Sequence, residues 1–178
     1  PRYTLIERLP YDRPNTSMAA FPLCPECRKD YENPVDRRFH AQPLACPACG
    51  PALGFRRPGS ADINDNETAL NAAVTALQSG LIVAVKGIGG YHLLCSATSE
   101  AAVLKLRRRK HRAFKPLAIM LPWSGNEGLE CVRLYANPTV TESALLTDPI
   151  RPIVLIKKRP NTGLADSVAP GMNEIGVM

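Results

Sequence analysis

Apolar positions in the later two-thirds of the chain follow two spacings, one typical of helices and one of buried strands. Across residues 67–78 they recur every three or four positions, which places them on one face of a helix, and Gly80 follows as a stop signal. Ser99 precedes a second stretch of this kind, which runs through residue 109, and another lies at 141–146. The pattern predicts three helices.

Three short continuous apolar runs, each of which follows one of these helices, predict buried strands. They cover residues 81–86, 117–121 and 152–157, and the first opens into a glycine-rich turn at 87–90. Strands that alternate with helices predict an α/β fold built in layers. None of the runs is long enough to cross a bilayer, and we therefore expect a cytoplasmic protein with no membrane partner.

Cysteine spacing changes the picture for the first third of the chain, where helical periodicity is weak. Cys24 and Cys27 form one C-x2-C pair, and Cys46 and Cys49 form a second pair eighteen residues later. Four thiolates at this spacing are typical of a closed, structural Zn²⁺ site. The alternative is a set of cysteines without metal. A redox role is disfavoured because neither pair is expected at the start of a helix that follows a strand.

Charge adds a candidate site for anions. The 178-residue chain carries a net charge of +6, and six Lys or Arg residues fall among the nine residues 107–115. This basic run follows a predicted helix and precedes a predicted strand, where Lys and Arg can hold a triphosphate. Two alternatives remain: a basic cap on the helix C-terminus, and binding to an RNA backbone.

The glycine-rich turn is a weaker candidate. Glycines after a strand let a ligand approach the backbone, and the adjacent Lys86 could meet a phosphate or carboxylate. The turn matches neither a Walker loop nor a dinucleotide fingerprint. Tyr91 and His92 are more typical of core or rim residues than of catalysts.

Several long motifs together resemble the hydrogenase maturation carbamoyltransferase family HypF, and they extend over essentially the whole chain. The motifs are Pro10–Pro25, Arg38–Pro43, Cys46–Pro51, Val85–Leu93, Arg108–Arg112, Lys115–Leu117 and Val168–Val177. The resemblance implies a YrdC-like twisted mixed sheet with helices, preceded by a small four-cysteine zinc module. We expect the module at residues 1–58 and the YrdC-like domain at 59–178, cut short at its C-terminal end.

The resemblance also implies an activity. Members of the family hydrolyse carbamoyl phosphate, couple the carbamate to ATP as carbamoyl-adenylate, and carbamoylate the C-terminal cysteine of the partner HypE. The chain would supply the adenylate-forming part, with Mg²⁺ accompanying ATP, and would be inactive alone. An alternative function for such a fold is binding of double-stranded RNA.

Nucleotide contacts can be transferred to particular positions of this sequence. Lys110 and Arg112 match the family's Lys-x-Arg motif before a Pro-Leu strand, and Lys86, Tyr91 and Lys115 fall in the corresponding pocket wall. The family usually has proline where this chain has Ala113, and aspartate where it has Ser96. The resemblance also leaves open whether the two cysteine pairs share one zinc or pair with cysteines of another motif.

Overall fold

The computed structural model describes residues 5–87 and 90–178, and its backbone divides into two compact units. The first comprises residues 5–75, 84–87 and 90–92, and the second comprises 76–83 and 93–178. None of the helices in the described part of the chain has the length and hydrophobicity that crossing a bilayer requires. The predicted boundary at residues 58 and 59 stays a prediction.

The three predicted helices are confirmed. In chain order the helices are α1 (Pro25–Glu32), α2 (Asn66–Gln78), α3 (Glu100–Lys110), α4 (Glu130–Tyr135) and α5 (Val140–Thr147). The Ser99 side chain caps α3 by accepting from the Ala102 amide, and Thr139 and Glu142 form a capping box at the start of α5. Helices α1 and α4 were not predicted.

The strands form two sheets. Their bounds are β1 (Val83–Gly87), β2 (Gly90–Leu94), β3 (Ala118–Ile119), β4 (Val154–Lys157) and β5 (Glu174–Val177). β1 pairs with β2, and the second sheet has the order β3-β5-β4. β5 lies parallel to β3 and antiparallel to β4. A mixed sheet with helices, preceded by a four-cysteine cluster, agrees with the predicted fold class.

The prediction of a buried first strand was wrong. Residues 84–86 of β1 are exposed, and the Val85 side chain is 39% exposed. Among the described residues β1 pairs only with β2, and a two-stranded ribbon leaves little apolar surface covered. Two residues of the predicted glycine-rich turn, 88 and 89, lie outside the described residues.

The core of the second unit lies on one face of the three-stranded sheet. Side chains alternate along a strand, so Val154 and Ile156 of β4 share a face with Ile175 and Val177 of β5, and all four are buried. Helices α3, α4 and α5 supply buried residues to the same cluster. Val103 is the residue that α3 contributes, and the basic run begins about one turn later, at Arg107.

Candidate metal centre and basic loop

The four cysteines of the C-x2-C pairs form one cluster. Their Sγ atoms all lie within 4.8 Å of one another, and the Cys46 Sγ lies 3.7 Å from both the Cys24 Sγ and the Cys49 Sγ. Four thiolates about 2.3 Å from a tetrahedral Zn²⁺ would be separated by about 3.8 Å. The donor set therefore fits zinc, and both pairs face the same point.

The first cysteine pair starts a helix that was not predicted from the sequence. Cys24 is the N-cap residue of α1, and Pro25 occupies the first helical position, where the missing N–H of proline costs nothing. Cys27 lies one turn later and is buried. No β-strand directly precedes α1 in the described chain, so the arrangement still differs from a redox C-x-x-C motif.

The second cysteine pair lies in a tight turn. The Cys46 carbonyl accepts from the Cys49 amide at 3.1 Å and from the Gly50 amide at 2.8 Å. A Cβ at position 50 would lie 2.8 Å from the Ala45 Cβ and 2.9 Å from the Cys46 carbonyl oxygen. The turn that directs this pair therefore requires glycine after its second cysteine.

A buried arginine connects the segments that lead into both cysteine pairs. Arg13 Nη1 donates to the carbonyls of Gln42 (2.8 Å) and Leu44 (2.7 Å), and its Nη2 donates to the Phe21 carbonyl (2.6 Å). Leu44 precedes Cys46 by two residues, and Phe21 precedes the first pair by three. Arg13 thus holds the two halves of the metal centre together without touching a cysteine.

Protonation differs sharply among the thiols of the cluster. Burial, followed by hydrogen bonds with the other three thiols, raises the pKa of Cys27 to about 12. Hydrogen bonds from backbone groups lower the pKa of Cys49 to about 6. Thiolates this close together repel one another unless a cation lies between them, so metal binding must displace protons.

The basic run does not act as a uniform patch, because its first member points inward. Arg107 is only 5% exposed, and its guanidinium donates to five backbone carbonyls. Two of these, Ser167 and Val168, lie in a 3-10 helix (Asp166–Val168). Arg107 therefore differs from the other cations of the run, because most of its donors already have backbone acceptors.

The remaining cations of the run divide between exposed and partly engaged side chains. Lys110 and Lys115 are exposed. Arg112 is half-buried, its Nη2 donates to the Pro116 carbonyl at 2.8 Å, and its Nε is buried without a hydrogen-bond partner among the described residues. A buried donor without an acceptor costs about 1–3 kcal/mol, so Arg112 keeps hydrogen-bonding capacity that its own loop does not use.

The candidates near the glycine-rich turn belong to the first unit. Lys86 lies in β1 and is exposed, and Tyr91 lies in β2 with 69% exposure. Lys110, Arg112 and Lys115 belong to the second unit.

Two cavities of the second unit lie away from the predicted site residues. The larger has a volume of about 500 Å³, and its lining includes Lys157, Lys158 and Arg159. The smaller, about 200 Å³, lies beside Trp123 and Arg151. Neither is lined by the cations of the basic run. The apolar pattern of residues 152–157 indicates only a strand, so the sequence carries no signal for the larger cavity.

Family models match both parts of the chain. Residues 75–178 match the Sua5/YciO/YrdC model, described as telomere recombination, and residues 23–55 match a model described as a HypF finger. The four-cysteine cluster lies within the second match.

The chain is similar along its full length to proteins named carbamoyltransferase HypF. It is 48% identical over 178 residues to the protein of Rhodobacter capsulatus and 51% identical over 179 residues to that of Synechocystis sp.. Each alignment covers 100% of this chain and 23% of the relative. The chain thus spans about a quarter of the length of these curated relatives.

Solved structures give the same result. The crystal structure of T. kodakarensis HypF superimposes with a TM-score of 0.84 at 44% identity. A full-length HypF in a phosphate- and nucleotide-bound form superimposes with a TM-score of 0.77 at 41% identity. Both matches cover 100% of this chain and 22% of the solved chain.

Proposed function

Because the chain belongs to the Sua5/YciO/YrdC family and is similar over its whole length to HypF carbamoyltransferases, we propose that it is the adenylate-forming part of a HypF-like carbamoyltransferase. The substrates are ATP, bound with Mg²⁺, and carbamate derived from carbamoyl phosphate. The acceptor of the carbamoyl group is the C-terminal cysteine of HypE. The reaction takes place in the cytoplasm, a reducing compartment that suits metal-binding thiols.

The observation that carries this proposal is the state of Arg112. Its Nε is buried and lacks an acceptor among the described residues, although Lys110 and Lys115 beside it are exposed and positively charged. A phosphate group would supply a counter-charge to the two exposed lysines and hydrogen-bond acceptors to the half-buried guanidinium. That one solved relative carries a nucleotide supports the choice of ligand.

In the proposed reaction the chain positions charge rather than forming bonds. A carbamate oxygen attacks the α-phosphorus of ATP, the bond to the bridging oxygen breaks, and pyrophosphate leaves with that electron pair. Lys110, Arg112 and Lys115 offset the charge of the triphosphate and of the leaving pyrophosphate. We propose Lys86 and Tyr91, exposed residues of β1 and β2 in the first unit, as further nucleotide contacts.

The four-cysteine cluster has a structural role in this proposal. Four thiolates leave no open coordination position, so the ion would stabilise the fold of the module and take no part in the transfer. The fit of the Sγ distances to a tetrahedral zinc site supports this role.

The proposal is tested in a protein of full HypF length. The chain replaces the equivalent segment of the R. capsulatus relative. The two are 48% identical, and the alignment covers the whole of this chain. ATP–pyrophosphate exchange is then measured with carbamoyl phosphate supplied. A Lys110→Ala, Arg112→Ala double variant should lower the exchange rate about a hundredfold or more, because two charges that stabilise the leaving group are lost.

The control removes the same charge elsewhere. Lys29 and Arg37 are exposed residues of the first unit, and a Lys29→Ala, Arg37→Ala double variant should exchange at the parent rate. Equal rates in the two double variants would refute the assignment of Lys110 and Arg112. A parent chimera that binds ATP but shows no exchange that depends on carbamoyl phosphate would refute the adenylation step.

A further inference from the structure

The loop formed by residues 112–115 curls around a guanidinium supplied by the preceding helix. Arg107 Nη1 lies 2.8 Å, 3.0 Å and 3.1 Å from the carbonyl oxygens of Arg112, Ala113 and Lys115. A guanidinium is planar and carries its donors in a rigid fork, so it fixes the direction of the groups that it binds. The carbonyls of the loop therefore point at one buried cation.

The orientation of these carbonyls also sets the direction of the amides. In a trans peptide the N–H points away from the C=O of the same unit. Since the carbonyls of Arg112 and Ala113 face Arg107, the amide N–H groups of Ala113 and Phe114 face the opposite way. We propose that Arg107 is a positioning residue that turns these two N–H groups outward, where they bind phosphate oxygens of the nucleotide.

The inference rests on the proposed function and adds two backbone donors to that site. A buried positive charge behind the loop and two amide N–H groups in front of it give an anion a preorganised pair of donors. The lysines on either side of the loop, Lys110 and Lys115, then act as exposed counter-charges. Arg107 itself never touches the ligand.

Arg107 can hold the loop firmly because its other donors are anchored in the second unit. Nε donates to the Ser167 carbonyl at 2.6 Å, and Nη2 donates to the Val168 carbonyl at 3.2 Å. Ser167 is held in turn by Glu100 of α3, which accepts from both the hydroxyl and the amide of that serine. Both ends of α3 therefore fix the segment against which the loop is positioned.

Position 113 gives the inference a sensitive variant. Proline, which the resembled family usually has at this position, carries no amide N–H. The alanine of this chain supplies a donor there. Ala113→Pro removes one proposed contact without changing any charge.

The test compares four variants of the full chain by isothermal titration with tripolyphosphate and with Mg·ATP. Arg107→Met removes the guanidinium, and Arg107→Lys keeps the charge but not the planar fork. Both should weaken binding about tenfold to a hundredfold, and Ala113→Pro about threefold to tenfold, as expected for lost hydrogen bonds to a charged ligand. Lys105→Met, which neutralises a half-buried lysine of α3 outside the loop, is the matched control and should bind within about twofold of the wild type.

Amide ¹⁵N–¹H spectra separate positioning from general stability. Tripolyphosphate should shift the Ala113 and Phe114 signals of the wild type but not those of Arg107→Lys. The signals of the core residues Val103 and Ile175 should stay at their wild-type positions in that variant. If Arg107→Met fails to fold, Arg107→Lys and Ala113→Pro decide the question.

Each outcome separates this inference from the function on which it rests. Wild-type affinity in Arg107→Lys would mean that charge alone matters and would overturn the positioning role. Unshifted Ala113 and Phe114 signals in a wild-type chain that binds the probe would overturn the amide contacts. A wild-type chain that binds neither probe would overturn the proposed nucleotide site, and this inference with it.

Discussion

Replacement of the buried Arg13 tests how the front module holds its metal ligands. Arg13→Met keeps an unbranched stem in the place of the arginine stem but removes the guanidinium. The hydrogen bonds to the carbonyls of Phe21, Gln42 and Leu44 are then lost. Each bond joins a charged donor to a carbonyl at 2.8 Å or less, and such bonds contribute about 1.5–3 kcal/mol apiece. Water can resolvate part of what is released, so we expect a loss of about 3 kcal/mol in the folding of the module.

That loss should appear in the metal affinity, since folding of the module and binding of its ion are linked. A penalty of about 3 kcal/mol corresponds to about a hundredfold weaker Zn²⁺ binding, at about 1.4 kcal/mol for each factor of ten. The measurement is competition between the protein and a chromophoric zinc chelator near neutral pH. Arg37→Met removes the same charge from an exposed position of the module and should change the affinity less than about threefold. An equal affinity in the two variants would refute the bridging role of Arg13.

Three further outcomes follow from local geometry. Gly50→Ala should weaken zinc binding in the chelator competition, because its Cβ would clash with the Ala45 Cβ and the Cys46 carbonyl. The control is Gly54→Ala, whose Cβ meets only the flexible Arg56 side chain and which should bind zinc normally. Gly128→Ala should displace the sole tryptophan, Trp123, because the added Cβ would lie 2.2 Å from its ring, and the fluorescence emission should shift. The control is Gly171→Ala, which is also at a positive φ but has open space around it and should leave the emission unchanged. Zinc affinity should fall as pH falls, because protons compete with the metal for thiols whose pKa values reach about 12. The expected loss is about tenfold per pH unit for each proton displaced. An affinity that does not change between roughly pH 8 and pH 6 would contradict proton displacement.

Helices were predictable where local signals agreed. The spacing of apolar residues, the Ser99 cap and the glycine after α2 gave α2, α3 and α5 within one or two residues of their observed bounds. Helix α1 was missed because its cysteines and Pro25 were interpreted only as a metal motif, although proline favours the first turn of a helix. Strand β5 was missed because Gly176 interrupts its apolar pattern, and its pairing with β3 and β4 outweighs that weak propensity.

The metal centre was predictable, and the roles of the basic residues were only partly so. A C-x2-C pair restricts where its sulfurs can lie, so spacing alone predicted that these four cysteines would lie together. Arg107 was indistinguishable in sequence from its neighbours, because its role depends on carbonyls some sixty positions away at Ser167 and Val168. The assignments of Lys86, Tyr91, Lys110, Arg112 and Lys115 as nucleotide contacts remain predictions.

The separation between Arg107 and Ser167 also has a consequence for synthesis on the ribosome. Sixty residues divide the guanidinium from the carbonyl that anchors it. At about 5–20 residues per second, roughly 3–12 s pass after Arg107 is incorporated before Ser167 is joined to the nascent chain. Helix α3 can form within microseconds of leaving the exit tunnel, but the loop that follows it acquires its final shape only when this later segment emerges and docks.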